Sequence, residues 1–347
     1  MLVPLYDVNK TFEENADKGP FFSDLLEVKS PRTPILTFLG LPLCSPIGVA
    51  PCPLTLGKGI SLLSKLEFDV LIYKTIRCMQ YPVHSFPNLY VMEDSPGNIT
   101  VANSFGIGCA KPEVVLCDIE KAKSSLSAGQ ILIVSIYGEG KTRKESMQQF
   151  YQAAAMAKDA GAHIVEANLS CPNLLHTTAL YLDIEYVEAL TSRLVAILGN
   201  IPLTVKVGVF PTLTGLRQLL YTLAKIGVQG ICGINSVSQP IYNKAGAPIF
   251  GPDREKAGVS GSSIRPLALS FVQNVKSILE KEKLSLKLLA TGGVTQAHHF
   301  REFLEAGADI ALSATGAMWN PYLAMEYHRG AYDTKRITRK LERNADY

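Results

Sequence analysis

The chain has 347 residues, of which 47% are hydrophobic and 19% charged. That supplies a large core and excludes bulk disorder. With 34 Lys and Arg against 31 Asp and Glu, the formal net charge is +3, too balanced for a basic nucleic-acid-binding surface.

No apolar run reaches the ~18 residues of a membrane helix. Met1 to Lys10 lacks the basic stretch and apolar core of a secretory signal, so neither a membrane contact nor export is expected. The seven cysteines (Cys44, Cys52, Cys78, Cys109, Cys117, Cys171 and Cys232) are scattered without CxxC spacing. An odd, dispersed set argues against a disulfide framework and a structural zinc, so the chain reads as a reduced, cytoplasmic protein without a metal site.

In chain order, residues 1–45 form an N-terminal extension. Residues 5–28 are polar and interrupted, without a clear amphipathic helix, and Phe38-Leu-Gly-Leu-Pro-Leu43 reads as a hairpin turn. Strand-like runs then begin near Pro46, Val70, Ile99, Ile131, His163, Pro202, Gly230, Leu286 and Asp309. They are short and continuously apolar, as parallel strands covered on both faces are. Three helix-like runs each lead through a glycine into the next strand: Lys144 to Gly161, Leu213 to Gly227, and Ala297 to Gly307. In the first, Met147, Phe150, Tyr151, Ala154 and Ala157 recur at the helical period, and each glycine falls where a left-handed C-cap ends a helix.

One strand is surplus to an eight-stranded barrel. The Ile99 run follows residues 77–98, which are rich in Pro, Asn and Ser and carry no helical period. Residues 77–110 therefore read as an insertion after strand two. The remainder is an α/β chain folded as a (β/α)8 TIM barrel over residues 46–330, with a polar tail at 331–347. An open doubly wound sheet is the alternative, but Ala50-Pro-Cys-Pro-Leu-Thr-Leu-Gly57 lacks the GxGxxG of a dinucleotide fold.

Chemistry in such barrels sits at the carboxyl ends of the strands. Those ends carry Lys74-Thr75, Asn168, Lys206, Asn235-Ser236, Thr291-Gly-Gly293 and Ala314-Thr315-Gly316, with Asn103 to Gly106 in the insertion. Paired carboxylates and clustered histidines are missing, so glycoside and metal chemistry are not expected. Amides and lysines suit a planar, anionic, hydrogen-bonding ring. The glycine turns suit a phosphate approached by backbone N–H groups. A lysine within Thr204-Val-Lys206 is costly to bury without a partner, which marks Lys206 as functional. A buried cysteine is usually a small hydrophobe, but Cys171 sits in a polar loop just past a strand end, and it alone of the seven reads as functional. No role is assigned to the six histidines, and Asp253 to Lys256 read as an exposed loop.

The loop Asn168-Leu-Ser-Cys-Pro-Asn173 resembles the signature of the dihydroorotate dehydrogenases. The likeness runs from about Thr37 to Pro321. It includes Leu41-Pro-Leu-Cys-Ser-Pro-Ile-Gly48, Lys74-Thr75, Asn103-Ser-Phe-Gly106, Lys206, Asn235-Ser236, Gly258-Val-Ser-Gly-Ser-Ser-Ile-Arg-Pro266 and Ala290-Thr-Gly-Gly293. The resemblance implies an FMN across the barrel top, in contact with Ala50, Lys74, Thr75, Asn103, Asn168, Lys206, Ser260, Gly261, Gly292, Gly293, Ala314 and Thr315. It implies that Lys74, Asn103, Phe105, Gly106, Ile107, Asn168, Asn173, Asn235 and Ser236 hold dihydroorotate or orotate. It implies Cys171 as the base at C5 while hydride leaves C6 for flavin N5, with Lys74 and Lys206 assisting. A thiol's reference pKa of ~8.5 makes it a usable base after modest perturbation.

Cysteine at that position marks the soluble members, and serine the membrane-associated ones that reduce quinones. Soluble members are homodimers using fumarate, or use NAD through a flavin and iron–sulfur partner subunit. Ala257 and Ala314 depart from the family's usual pattern around the presumed phosphate site. Two other enzymatic readings stay open: a flavin oxidoreductase of another pyrimidine, and a flavin-free barrel lyase using Lys206 as a Schiff base. A non-catalytic homologue is disfavoured by the retained Cys171, Lys206 and asparagines.

Overall fold

The computed structural model describes residues 5–20, 32–95, 98–170 and 179–330. Eight strands close a parallel barrel: β3 (Ile47–Val49), β4 (Val70–Ile76), β7 (Ile131–Ile136), β8 (Ile164–Asn168), β9 (Leu203–Lys206), β10 (Gly230–Gly233), β13 (Lys287–Thr291) and β14 (Ile310–Ser313). β14 pairs with β3 to complete the circuit. This is the (β/α)8 barrel expected from the sequence, with the surplus strand outside it.

The barrel interior is filled by side chains such as Val70, Ile72, Ile133, Ile164, Leu289 and Leu312, so it is a packed core and not a pore. A hairpin of β1 (Leu36–Phe38) and β2 (Leu41–Leu43) turns at Leu39 and Gly40, both with positive φ. It packs Phe38 and Leu43 against that interior.

Helices alternate with the strands: α2 (Gly57–Lys65), α3 (Pro112–Ser124), α4 (Arg143–Asp159), α5 (Ile184–Leu198), α6 (Leu213–Ile226), α7 (Arg265–Glu282), α8 (Ala297–Glu305) and α9 (Thr315–Trp319). The three helices read from periodicity are α4, α6 and α8. In α4 the Thr142 hydroxyl caps the Glu145 N–H, and Phe150, Ala154 and Ala157 are buried. α6 ends on Gly227 at φ +89°, the left-handed cap that only glycine adopts cheaply.

Two sequence expectations are corrected. Residues 77–110 are not an irregular insertion with one strand. They hold a hairpin of β5 (Leu89–Ser95) and β6 (Asn98–Asn103), and β6 pairs with β12 (Lys256–Gly261), itself paired with β11 (Val237–Pro240). The result is a four-stranded antiparallel sheet that joins the insertion to the chain after β10. Nor is the Asp253 to Lys256 segment simply exposed. Arg254 is buried and donates to the Pro87 carbonyl (3.3 Å) and Ser85 Oγ (3.4 Å), tying this loop to the insertion.

The polar N-terminal segment also contains a helix, α1 (Phe12–Lys18). Thr11 and Glu14 form a capping box at its start, and Phe12 packs edge-on against Phe105 at 5.9 Å. Seven residues are too few for a helix to hold in isolation, so the cap and this aromatic contact account for it. The tail at 331–347 lies outside the described residues. Among them no helix is long and apolar enough to cross a membrane.

Candidate active site

A cleft opens at the carboxyl ends of the barrel strands, beneath the four-stranded sheet. β4 delivers Lys74 and Thr75, β8 Asn168, β9 Lys206, and the turn after β10 Asn235 and Ser236. β13 delivers Gly292 and Gly293, and the turn after β14 Ala314 and Thr315. From the added sheet come Asn103, Ser260 and Gly261. Ala50, Phe105 and Ile107 complete the predicted set found along the cleft.

Two ammonium groups sit here with little exposure, Lys74 at 9% and Lys206 at 4%. Lys74 Nζ donates to the Gly108 carbonyl at 2.9 Å and lies 5.1 Å from the Phe12 ring centre. Lys206 ends a strand buried throughout. Two ammonium groups at the floor of the cleft suit an anionic ligand.

The asparagines are joined to one another. Asn168 Nδ2 donates to Thr75 Oγ1 at 3.3 Å, and Thr75 Oγ1 meets Ser135 Oγ at 3.0 Å. Asn168 Oδ1 accepts from the Ser170 N–H and from Asn235 Nδ2, each at 3.3 Å. Asn235 Nδ2 also donates to the Ser170 carbonyl at 2.5 Å, and its Oδ1 accepts from the Ser236 N–H at 2.9 Å. Asn103 Nδ2 donates to the Gly258 carbonyl at 2.8 Å. These amides therefore hold the β8 turn and the added sheet as well as lining the cleft.

At the glycine end, Ser260 Oγ and Thr315 Oγ1 lie 3.2 Å apart. Gly261, Gly292 and Gly293 have φ of +93°, +113° and +97°. A Cβ at Gly261 would stand 2.1 Å from the Ile99 carbonyl oxygen, and one at Gly293 would strike the Arg265 backbone. Glycine is required by both conformation and space. Of the two departures from the family pattern, Ala314 lines the cleft. Ala257 does not: it is buried in β12, opposite Gln239.

Cys171 and Asn173 lie outside the described residues. Gly106 does not line the cleft; its carbonyl turns to Arg77. Sequence reasoning missed Pro51, Cys52, Leu89, Val101, Ile264 and Met318 on the walls. Leu89 and Val101 belong to the β5–β6 hairpin, and the polar and apolar alternation of β6 was the available signal. Burial pushes the Cys52 thiol up to about 11, so it is a neutral wall at physiological pH.

The family model described as dihydroorotate dehydrogenase matches residues 35–334. The chain belongs to the dihydroorotate dehydrogenase family. It is 37% identical to the Dictyostelium discoideum protein named dihydroorotate dehydrogenase, over 94% of this chain and 96% of that one. It is 28% identical to the catalytic subunit of dihydroorotate dehydrogenase B (NAD(+)) from Anoxybacillus flavithermus, over 49% and 52%. The DHODH of Eimeria tenella, solved in complex with ferulenol, superposes with a TM-score of 0.71 over 91% of this chain and 87% of that one. At 16% identity that likeness speaks for the fold. The family is flavin-dependent, and the donor set fits a flavin: two buried lysines, several amides and a glycine-lined end along one cleft.

Proposed function

We propose that the protein oxidises dihydroorotate to orotate with FMN, using Cys171 as the base. The carrying observation is that Lys74, Lys206, Asn168, Asn235 and the Gly292–Gly293 turn line one cleft. A phosphate suits its glycine end and an anionic ring its lysine end. When bound, FMN supplies the two-electron acceptor for the hydride leaving C6.

The chain's own residues do the rest. Cys171 takes the proton from C5, so loss of a proton and a hydride leaves the C5–C6 double bond of orotate. Lys74 and Lys206 counter the negative charge that accumulates in the cleft. Asn103, Asn168, Asn173, Asn235 and Ser236 orient the ring through its N–H and C=O groups. Ser260, Gly261, Gly292, Gly293 and Thr315 hold the phosphate.

On the same resemblance, residues 46–330 are the catalytic barrel of a cytoplasmic homodimer. The electrons pass to fumarate, or to NAD through a flavin and iron–sulfur partner subunit. Anaerobic mixing of FMN-loaded protein with dihydroorotate tests the reading. Bleaching of the flavin is expected, and whichever of fumarate, NAD or a quinone restores the colour identifies the acceptor. A yellow protein that stays yellow would overturn the substrate assignment. A protein that takes up no FMN would overturn the flavoenzyme.

A further inference from the structure

Successive side chains of a barrel strand alternate between the interior and the helix layer. On β4, Ile72 faces the interior. Tyr73 faces the helices, where its hydroxyl donates to Asp118 of α3. Lys74 turns inward again and lines the cleft. Alternation would then send Thr75 outward, yet it lines the cleft beside Lys74. The cause is the pairing of β4 with β7. Tyr73 pairs with Val134 and Ile76 with Ile136, so Lys74 and Thr75 together oppose Ser135 alone. The Lys74 N–H bonds the Thr55 carbonyl at 2.9 Å, outside the barrel ladder. This is a bulge, which re-aims a side chain that a regular strand would point elsewhere.

Ser135 is 0% exposed and does not itself line the cleft. Its Oγ meets Thr75 Oγ1 at 3.0 Å and has no other hydrogen-bond partner among the described residues. Glu166, opposite it on β8, does not compete, since neither carboxylate oxygen reaches a nitrogen or oxygen partner. A hydroxyl sealed from water gives its proton to the acceptor within reach, so Ser135 donates to Thr75. Thr75 Oγ1 also accepts from Asn168 Nδ2 at 3.3 Å. Both lone pairs of Thr75 Oγ1 are then filled, and its own proton has no acceptor among the described residues.

We infer that Ser135 is a positioning residue: it ties the bulge that turns Lys74 and Thr75 into the cleft together, and it leaves the Thr75 hydroxyl as a donor to the flavin. Ser135 acts through Thr75 and not by touching the ligand. This inference rests on the FMN reading above.

The test is a double-mutant cycle of Ser135→Ala and Thr75→Val, with Thr75→Ser alongside. It is read by FMN titration of the FMN-free proteins and by the visible spectrum of the bound flavin. Ser135→Ala and Thr75→Val are each expected to raise the FMN Kd about threefold to tenfold, the effect of one hydrogen bond. The double variant should lie within about twofold of Thr75→Val, because the hydroxyl through which Ser135 acts is already gone. The visible maximum of the flavin should move in the same direction in all three. Thr75→Ser, which keeps the hydroxyl, should bind FMN more tightly than Thr75→Val. Multiplied losses in the double variant would mean independent roles and overturn the inference. So would Thr75→Ser no better than Thr75→Val, or Ser135→Ala with a lowered urea midpoint but an unmoved FMN Kd and spectrum. If Ser135→Ala does not fold, Ser135→Cys, similar in size and a weaker donor, takes its place in the cycle. Wild-type protein that takes up no FMN would overturn the flavoenzyme reading instead, a result distinct from any difference among variants.

Discussion

Asn235 holds the turn that leads out of β8: its Nδ2 reaches the Ser170 carbonyl at 2.5 Å and Asn168 Oδ1 at 3.3 Å. Ser170 immediately precedes Cys171, so this amide anchors the backbone that presents the proposed base. Asn235→Ala leaves Asn168 and Ser170 without that donor. It is expected to lower kcat/KM for dihydroorotate by about 10²-fold, as loss of reacting geometry does, with FMN affinity changed only slightly. Steady-state kinetics beside a flavin titration would check it; equal loss of both would assign Asn235 to FMN instead.

Cys171→Ala removes the base. Flavin bleaching by dihydroorotate should slow by about 10²- to 10⁴-fold, the usual contribution of a positioned base. Cys171→Ser should retain some activity with its pH profile moved upward, because a hydroxyl is the weaker acid. Anaerobic stopped-flow across a pH series gives both numbers. Undiminished bleaching in Cys171→Ala would exclude the proposed role.

Glu166 lies inside the barrel on β8, opposite Ser135 and Thr204 on the adjoining strands. Both its carboxylate oxygens are buried without a nitrogen or oxygen partner among the described residues, facing the Cys232 thiol. The Cys232 thiol is pushed well up by burial and then by the charge of Glu166. A buried polar group without partners is costlier than an apolar one of similar volume. Glu166→Met is therefore expected to stabilise the FMN-free protein by about 1–3 kcal/mol. Urea unfolding would reveal it as a higher midpoint at unchanged slope; a lower midpoint would refute it.

His299 gives the fold a pH dependence. Burial, then the nearby Arg265 charge, holds its imidazole down at about 4. Its Nδ1 accepts from the N–H groups of Thr295 and Gln296 at 3.2 Å. Between that value and the unfolded ~6.5, the unfolded chain binds the extra proton. Stability is full above about pH 6.5 and is lost as pH falls towards about 4, by up to about 3 kcal/mol. His84, His163 and His328 are also held low by burial, so the difference between wild type and His299→Gln isolates the one residue. The gap between denaturant midpoints at about pH 7 and about pH 5 should narrow in the variant without closing; an unchanged gap would contradict the assignment.

What the sequence determined by itself was the barrel and the identity of its rim. Continuous apolar runs such as Val70 to Ile76, and helices closed by Gly161, Gly227 and Gly307, are signals carried within a few residues of one another. The strand-end positions of Lys74, Asn168, Lys206 and Asn235 then follow from counting along each strand. Tertiary structure decided the rest. β12 is short and rich in Gly and Ser, and it is a strand because β6, more than a hundred residues earlier, and β11 supply its hydrogen-bond partners. Arg77 and Glu139 look like ordinary surface charges in the chain. They become an ion pair with a buried guanidinium because the ends of β4 and β7 lie side by side. Period and composition report what a residue does with its near neighbours, whereas ladder pairing and buried charge depend on partners that only folding brings within reach.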